Sequence, residues 1–109
     1  MSSIPVCSEQ DVRSGRGTRV RVNGEDLVLF RVDEHICAVA NNCPHQHFAK
    51  LHDGLYENGI VTCPMHGWSF DVRTGAPVNA GGRLRTFPAE VRNGTVYVDP
   101  GTASSDDGR

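Results

Sequence analysis

The sequence predicts an all-β domain. Two observations carry this. Short stretches that alternate polar and apolar residues recur at regular spacing, as in Thr18-Arg19-Val20-Arg21-Val22. They are punctuated by turn signals, above all Asn23-Gly24 and Asn93-Gly94, in a chain of 109 residues with twelve Gly and six Pro.

Taken in order, Ile4–Cys7 is a short apolar strand. Ser8-Glu9-Gln10-Asp11 reads as a cap with one helical turn, ended by Gly15. Thr18–Val22 is a half-buried strand, and Asn23-Gly24 turns it into a second. That second strand, Leu27–Val32, is apolar throughout apart from Arg31, as a central strand must be, and Asp33-Glu34 turns it. His35–Ala40 completes a meander. Residues 41–49 form a loop, Leu51–Tyr56 leads out of it, and Gly59–Thr62 is a strand that ends at Cys63. Trp68–Val72 is the next strand, closed by an Arg73-Thr74-Gly75 turn. Ala76–Arg83 is Gly-rich and reads as irregular. Leu84–Val91 reads as one edge strand interrupted by Pro88. Asn93-Gly94 and Thr95–Asp99 form the last hairpin, and residues 100–109, poor in apolar side chains, read as a disordered tail.

Composition bounds the function. The chain has room for one domain with a modest core. Its formal charge is -2, with no basic stripe, which argues against nucleic acid as a partner. No apolar run approaches the length of a membrane span. The start, Met1-Ser2-Ser3-Ile4-Pro5, lacks a basic region followed by an apolar one, so no secretory signal is expected. A cytoplasmic protein is the expectation, and in that compartment four Cys favour metal binding or free thiols over disulfides. Cys7 and Cys37 read as reduced, with Cys37 in the core, although spacing alone leaves a disulfide between them open.

The chemistry concentrates in two short motifs. Cys43-Pro44-His45 is C-x-H, and Cys63-Pro64-Met65-His66 is C-x-x-H, with residues 46–62 between His45 and Cys63. Two thiolates and two imidazoles suit a metal. Zinc sites more often pair like with like. One Cys and one His from each loop suit an asymmetric two-iron centre, with Cys43 and Cys63 on one iron and His45 and His66 on the other. No 2-His-1-carboxylate pattern and no dinucleotide fingerprint stands elsewhere, so nothing else in the chain reads as catalytic.

At these residues the sequence resembles the Rieske [2Fe-2S] family. The surroundings extend the match: Pro44 and Pro64 follow the two cysteines, Leu51 and Gly54 fit an L-x-x-G, Gly67-Trp68-Ser69-Phe70-Asp71 fits G-W-x-F-D, and Thr74-Gly75 fits T-G. The resemblance runs from Val6 to Asp99. One position departs: the family has a small residue two places after the first His, and here that place is His47. As a ligand His47 would give C-x3-H, which the family does not use. It reads instead as a surface residue, near a partner dock or simply exposed.

The resemblance implies a Rieske fold, an antiparallel β-sandwich base with an inserted cluster-binding subdomain. It places one domain at 1–99, with the subdomain at about 41–76, and the tail at 100–109. It implies one Rieske-type [2Fe-2S] cluster per chain, held by Cys43, His45, Cys63 and His66. Trp68 and Phe70 would wedge the subdomain against the base. The role it implies is a soluble one-electron carrier. Such a carrier takes electrons from a flavin-dependent NAD(P)H reductase and passes them to a terminal oxygenase, often one acting on aromatic rings. Two other readings stand beside it: the small Rieske-like subunit of an assimilatory nitrite reductase, and a zinc-stabilised interaction module. Within the family the low-potential group is the match. The loop positions of the bridging disulfide in high-potential relatives are Phe48 and Met65 here, and the positions of their Ser and Tyr hydroxyls are Trp68 and Phe70.

Overall fold

The structure, a computed structural model, describes residues 3–41, 54–63, 67–78 and 83–99. Ten strands form three antiparallel sheets among these residues. The first sheet has the order β1-β10-β9, from Ile4–Ser8, Thr95–Val98 and Ala89–Arg92. The second has the order β2-β3-β4-β8, from Thr18–Val22, Glu25–Val32, His35–Ala40 and Thr86–Phe87. The third is the small sheet β5-β6-β7, from Leu55–Glu57, Ile60–Thr62 and Ser69–Asp71. The all-β class holds, and the expected strands are present except that the last but one is divided.

The second sheet lies in the middle, and β3 shows why. Leu27, Val28, Leu29 and Phe30 are all fully buried, so both faces of this strand are covered. Successive side chains point to opposite faces. Leu27 and Leu29 join Ile36, Ala38 and Ala40 in an outer cluster, closed by Val96 and Val98 of the first sheet. Val28, Phe30 and Val32 join Val39 in an inner cluster, closed by Val61, Cys63, Phe70, Val72 and Leu84. The outer cluster makes the sandwich base. The inner cluster seats the small sheet on that base.

The turns follow from their residues. Asn23-Gly24, Asn58-Gly59 and Asn93-Gly94 each put two successive residues at positive φ, the backbone of the type I′ hairpin turn. Ser8 caps the 3-10 turn Glu9–Asp11, its hydroxyl accepting from Gln10 N–H at 3.2 Å.

Two readings need correction. Leu84–Val91 is not one interrupted strand. Thr86–Phe87 pairs with β4 in the second sheet, and Ala89–Arg92 pairs with β10 in the first. Pro88, which lacks an N–H, stands where the chain changes sheets. Residues 76–78 are not irregular either. Phe70 bridges Pro77, Asp71 N–H donates to Ala76 C=O at 2.9 Å, and Val78 N–H donates to Ser69 C=O at 2.8 Å. This segment lies antiparallel beside β7, with Pro77 facing outward from the ladder as an edge allows. The expected tail at 100–109 lies outside the described residues.

Candidate metal centre

The second motif grows out of the β6–β7 hairpin. Thr62 stands opposite Ser69, and their hydroxyls meet at 2.9 Å. The chain then closes across the motif. Cys63 N–H donates to Trp68 C=O at 2.7 Å, and Cys63 C=O accepts from Gly67 N–H at 3.0 Å. Gly67 has φ +73, which a side chain would resist. Cys63 is fully buried inside the inner apolar cluster, together with Val61 and Phe70 of the small sheet and Val28 and Phe30 of the base. Trp68 packs on the same cluster from its rim. So Phe70 and Trp68 stand between small sheet and base, as expected.

The residues after Phe70 explain the rest of the motif by geometry. Asp71 Oδ1 accepts from Arg73 N–H at 2.8 Å, and Asp71 C=O accepts from Gly75 N–H at 2.7 Å. The Arg73 guanidinium holds the Asp71 carboxyl below the usual carboxylate range. Thr74 Oγ1 accepts from Ala76 N–H at 3.1 Å. Gly75 has φ +80, and a Cβ there would collide with the Leu84 carbonyl, while Leu84 N–H donates to Gly75 C=O at 2.9 Å. The F-D and T-G pieces thus form one turn that ties the small sheet to Leu84 of the inner cluster.

A second tie is Tyr56. Its ring lies 4.6 Å from that of Phe30, and its hydroxyl donates to Arg31 C=O at 2.9 Å. Burial pushes its phenol pKa up. The sequence reading missed this residue, although an aromatic two positions before a tight Asn-Gly turn pair was a visible signal.

The first motif leaves the base from the end of β4. Ala40 N–H donates to Arg85 C=O at 2.9 Å and Asn41 N–H to Asp26 C=O at 2.8 Å. Cys43, His45, His47 and His66 lie outside the described residues, as do Phe48 and Met65. Among the described residues no three His, Cys, Asp or Glu side chains gather as a metal site. Of the four expected ligands, Cys63 is the one whose place is described, and it fits. A thiolate buried in an apolar cluster would suit a group whose inner edge is buried and whose charge the thiolates offset. Cys7 and Cys37 are free thiols, Cys7 packed on the outer cluster and Cys37 on the inner one. Burial pushes both thiol pKa values up, so neither is primed as a nucleophile. Among the described residues no helix is long and apolar enough to cross a membrane.

Comparison with known proteins agrees with this geometry. The family model described as the Rieske [2Fe-2S] domain matches residues 2–91. Ferredoxin CarAc of Metapseudomonas resinovorans is 35% identical over 98 residues, covering 87% of this chain and 91% of its own. The ferredoxin component of the naphthalene 1,2-dioxygenase system of Pseudomonas putida is 36% identical over 100 residues, covering 88% and 93%. Among solved structures, the ferredoxin in a complex of reduced oxygenase and oxidized ferredoxin of carbazole 1,9a-dioxygenase superposes with a TM-score of 0.80 at 33% identity. That match covers 88% of this chain and 100% of the other.

Proposed function

The chain belongs to the Rieske [2Fe-2S] family, and on that premise we propose that it is the one-electron carrier of a multicomponent oxygenase system. The observation that carries this reading is the identity of its relatives. One is a ferredoxin and the other the ferredoxin component of a dioxygenase system, and they match over nearly their whole length as well as over nearly all of this chain. The chain is therefore an electron-transfer component and not itself a catalyst. A [2Fe-2S] cluster of the Rieske type, when bound, supplies a one-electron couple.

Cys43 and Cys63 hold one iron and His45 and His66 the other, in a cluster-binding subdomain of about 41–76 set into a base that completes residues 1–99. The burial of Cys63 supports its part in this assignment, since the apolar cluster excludes water from the thiolate side. Electrons arrive from a flavin-dependent NAD(P)H reductase and leave to a terminal oxygenase, in the cytoplasm. The solved complex of a similar ferredoxin with its oxygenase supports the second of these partners. Aromatic-ring hydroxylation is the terminal reaction, by analogy with the naphthalene system.

Stopped-flow mixing tests the reading. The chemically reduced protein should be reoxidised by a terminal oxygenase of the ring-hydroxylating class, with second-order kinetics. Reduced protein that keeps its electron in the presence of such oxygenases, and that instead copurifies with a haem-containing nitrite reductase, would overturn it.

A further inference from the structure

Asn41 is the polar residue buried completely among the described residues, and it stands two positions before Cys43. It continues the β3–β4 ladder by one pair. Leu27 lies opposite Ala40, and Asn41 N–H then donates to Asp26 C=O at 2.8 Å. The side chains meet as well: Asn41 Nδ2 donates to Asp26 Oδ1 at 3.2 Å. The same carboxylate takes two bonds from Arg19 on β2, Nε to Oδ1 at 2.9 Å and Nη2 to Oδ2 at 2.7 Å. This is the paired, planar geometry in which a guanidinium holds a carboxylate most firmly. The Arg19 hydrogen bonds, with help from the Asn41 amide, hold the Asp26 carboxyl below its usual range in spite of partial burial.

The position of this network on the sheet matters. Val28 and Val39 stand opposite each other and belong to the inner cluster with Cys63. Asp26 and Asn41 lie two residues on from them along β3 and β4, and so on the same face. An aliphatic residue at 41 would fill its place without the cost of burying an amide. An amide is retained, and it is aimed at a carboxylate that is itself fixed in direction by Arg19.

We infer that Arg19, Asp26 and Asn41 are positioning residues for the first motif. They fix the point and direction at which the chain leaves the base, on the face that carries Cys63, before it supplies Cys43 and His45. A directional bond can set that exit where apolar packing alone would leave it free to slide. The inference rests on the ligand assignment given above.

The test uses the full chain with its cluster, in wild type, Asp26→Asn, Asn41→Ala and the double variant. The readouts are the rate of cluster loss to an iron chelator and the EPR spectrum of the reduced protein. Each single variant should lose its cluster several-fold faster and should shift the EPR g values. The double variant should speed that loss by less than the product of the two single effects, because the Asn41 amide and the Asp26 carboxylate share a bond. Asp26→Asn keeps shape and one acceptor oxygen, and with Arg19→Gln it carries the test if Asn41→Ala does not fold. Variants that keep their clusters at the wild-type rate with unchanged spectra would overturn the inference, as would effects that multiply in the double variant. A wild-type chain that binds no iron would sink the functional reading itself, which is a different result.

Discussion

Phe70→Tyr adds one oxygen at the wall of the metal centre. Phe70 is fully buried, in the same cluster as Cys63 and as Val28 and Phe30 of the base. Two effects compete there. A hydroxyl left unpaired in such surroundings costs about 1–3 kcal/mol of stability. A hydroxyl that reaches the Cys63 sulfur instead makes a bond to a charged group, worth roughly 1.5–3 kcal/mol. Reduction adds negative charge to the site, so part of that bond is realised only in the reduced form. If that part is about 1 kcal/mol, the potential rises by about 40 mV, since a tenfold change in a one-electron equilibrium is ~59 mV. The starting value should lie near the low end of the Rieske range, around -150 mV, because neither Trp68 nor Phe70 carries a hydroxyl. Protein-film voltammetry reads both numbers. An unchanged or lowered potential in a variant that keeps its cluster would refute the reasoning about Phe70. A wild-type value above about +100 mV would refute the low-potential assignment.

Other perturbations test the frame around the site. Tyr56→Phe removes the hydroxyl that reaches Arg31 C=O but keeps the ring against Phe30, so denaturant unfolding should show a loss of about 1 kcal/mol. Val61 and Leu55 lie on opposite faces of the small sheet, one fully buried and the other 79% exposed. Val61→Ala should therefore cost about 2 kcal/mol, and Leu55→Ala less than ~0.5 kcal/mol; the reverse order of costs would mean that the sheet faces the other way. Arg19 and Arg73 hold the carboxyls of Asp26 and Asp71 below their ordinary values. A carboxyl lowered on folding adds stability above its unfolded pKa, about 3.9, and that stability is lost as pH falls through the folded value. Thermal unfolding should show this acid limb, and Asp26→Asn should flatten it.

How much of this the sequence disclosed depended on the range of the interaction. Hairpins with Asn-Gly turns are local, and the strands flanking 23–24 and 93–94 stand where the turns put them. The apolar run at 27–30 announced a strand covered on both faces, and β3 is one. The two motifs carried the chemistry because thiolate and imidazole have few other reasons to occur at that spacing. What escaped depended on partners distant in sequence. Pro88 reads as an interruption until β4 and β10 are seen to claim its two sides. Residues 76–78 look like a loop because Gly and Pro mask an edge that only β7 completes. Asn41 looked like the first residue of a loop, since nothing local reveals that Asp26, fifteen residues earlier, accepts its amide. Likewise the hydroxyl of Tyr56 finds its partner on a strand of the base that precedes it by 25 residues.

The central claim is that two Cys and two His hold a two-iron cluster in this chain. Iron and acid-labile sulfide analysis of the purified protein, with EPR of its reduced form, tests it most directly. The account predicts two iron and two sulfide per chain, with an average g below that of an all-cysteine cluster. It also predicts that His45→Ala or His66→Ala abolishes this signal while His47→Ala preserves it. Stoichiometric zinc without iron, in protein made under iron-replete conditions, would contradict it.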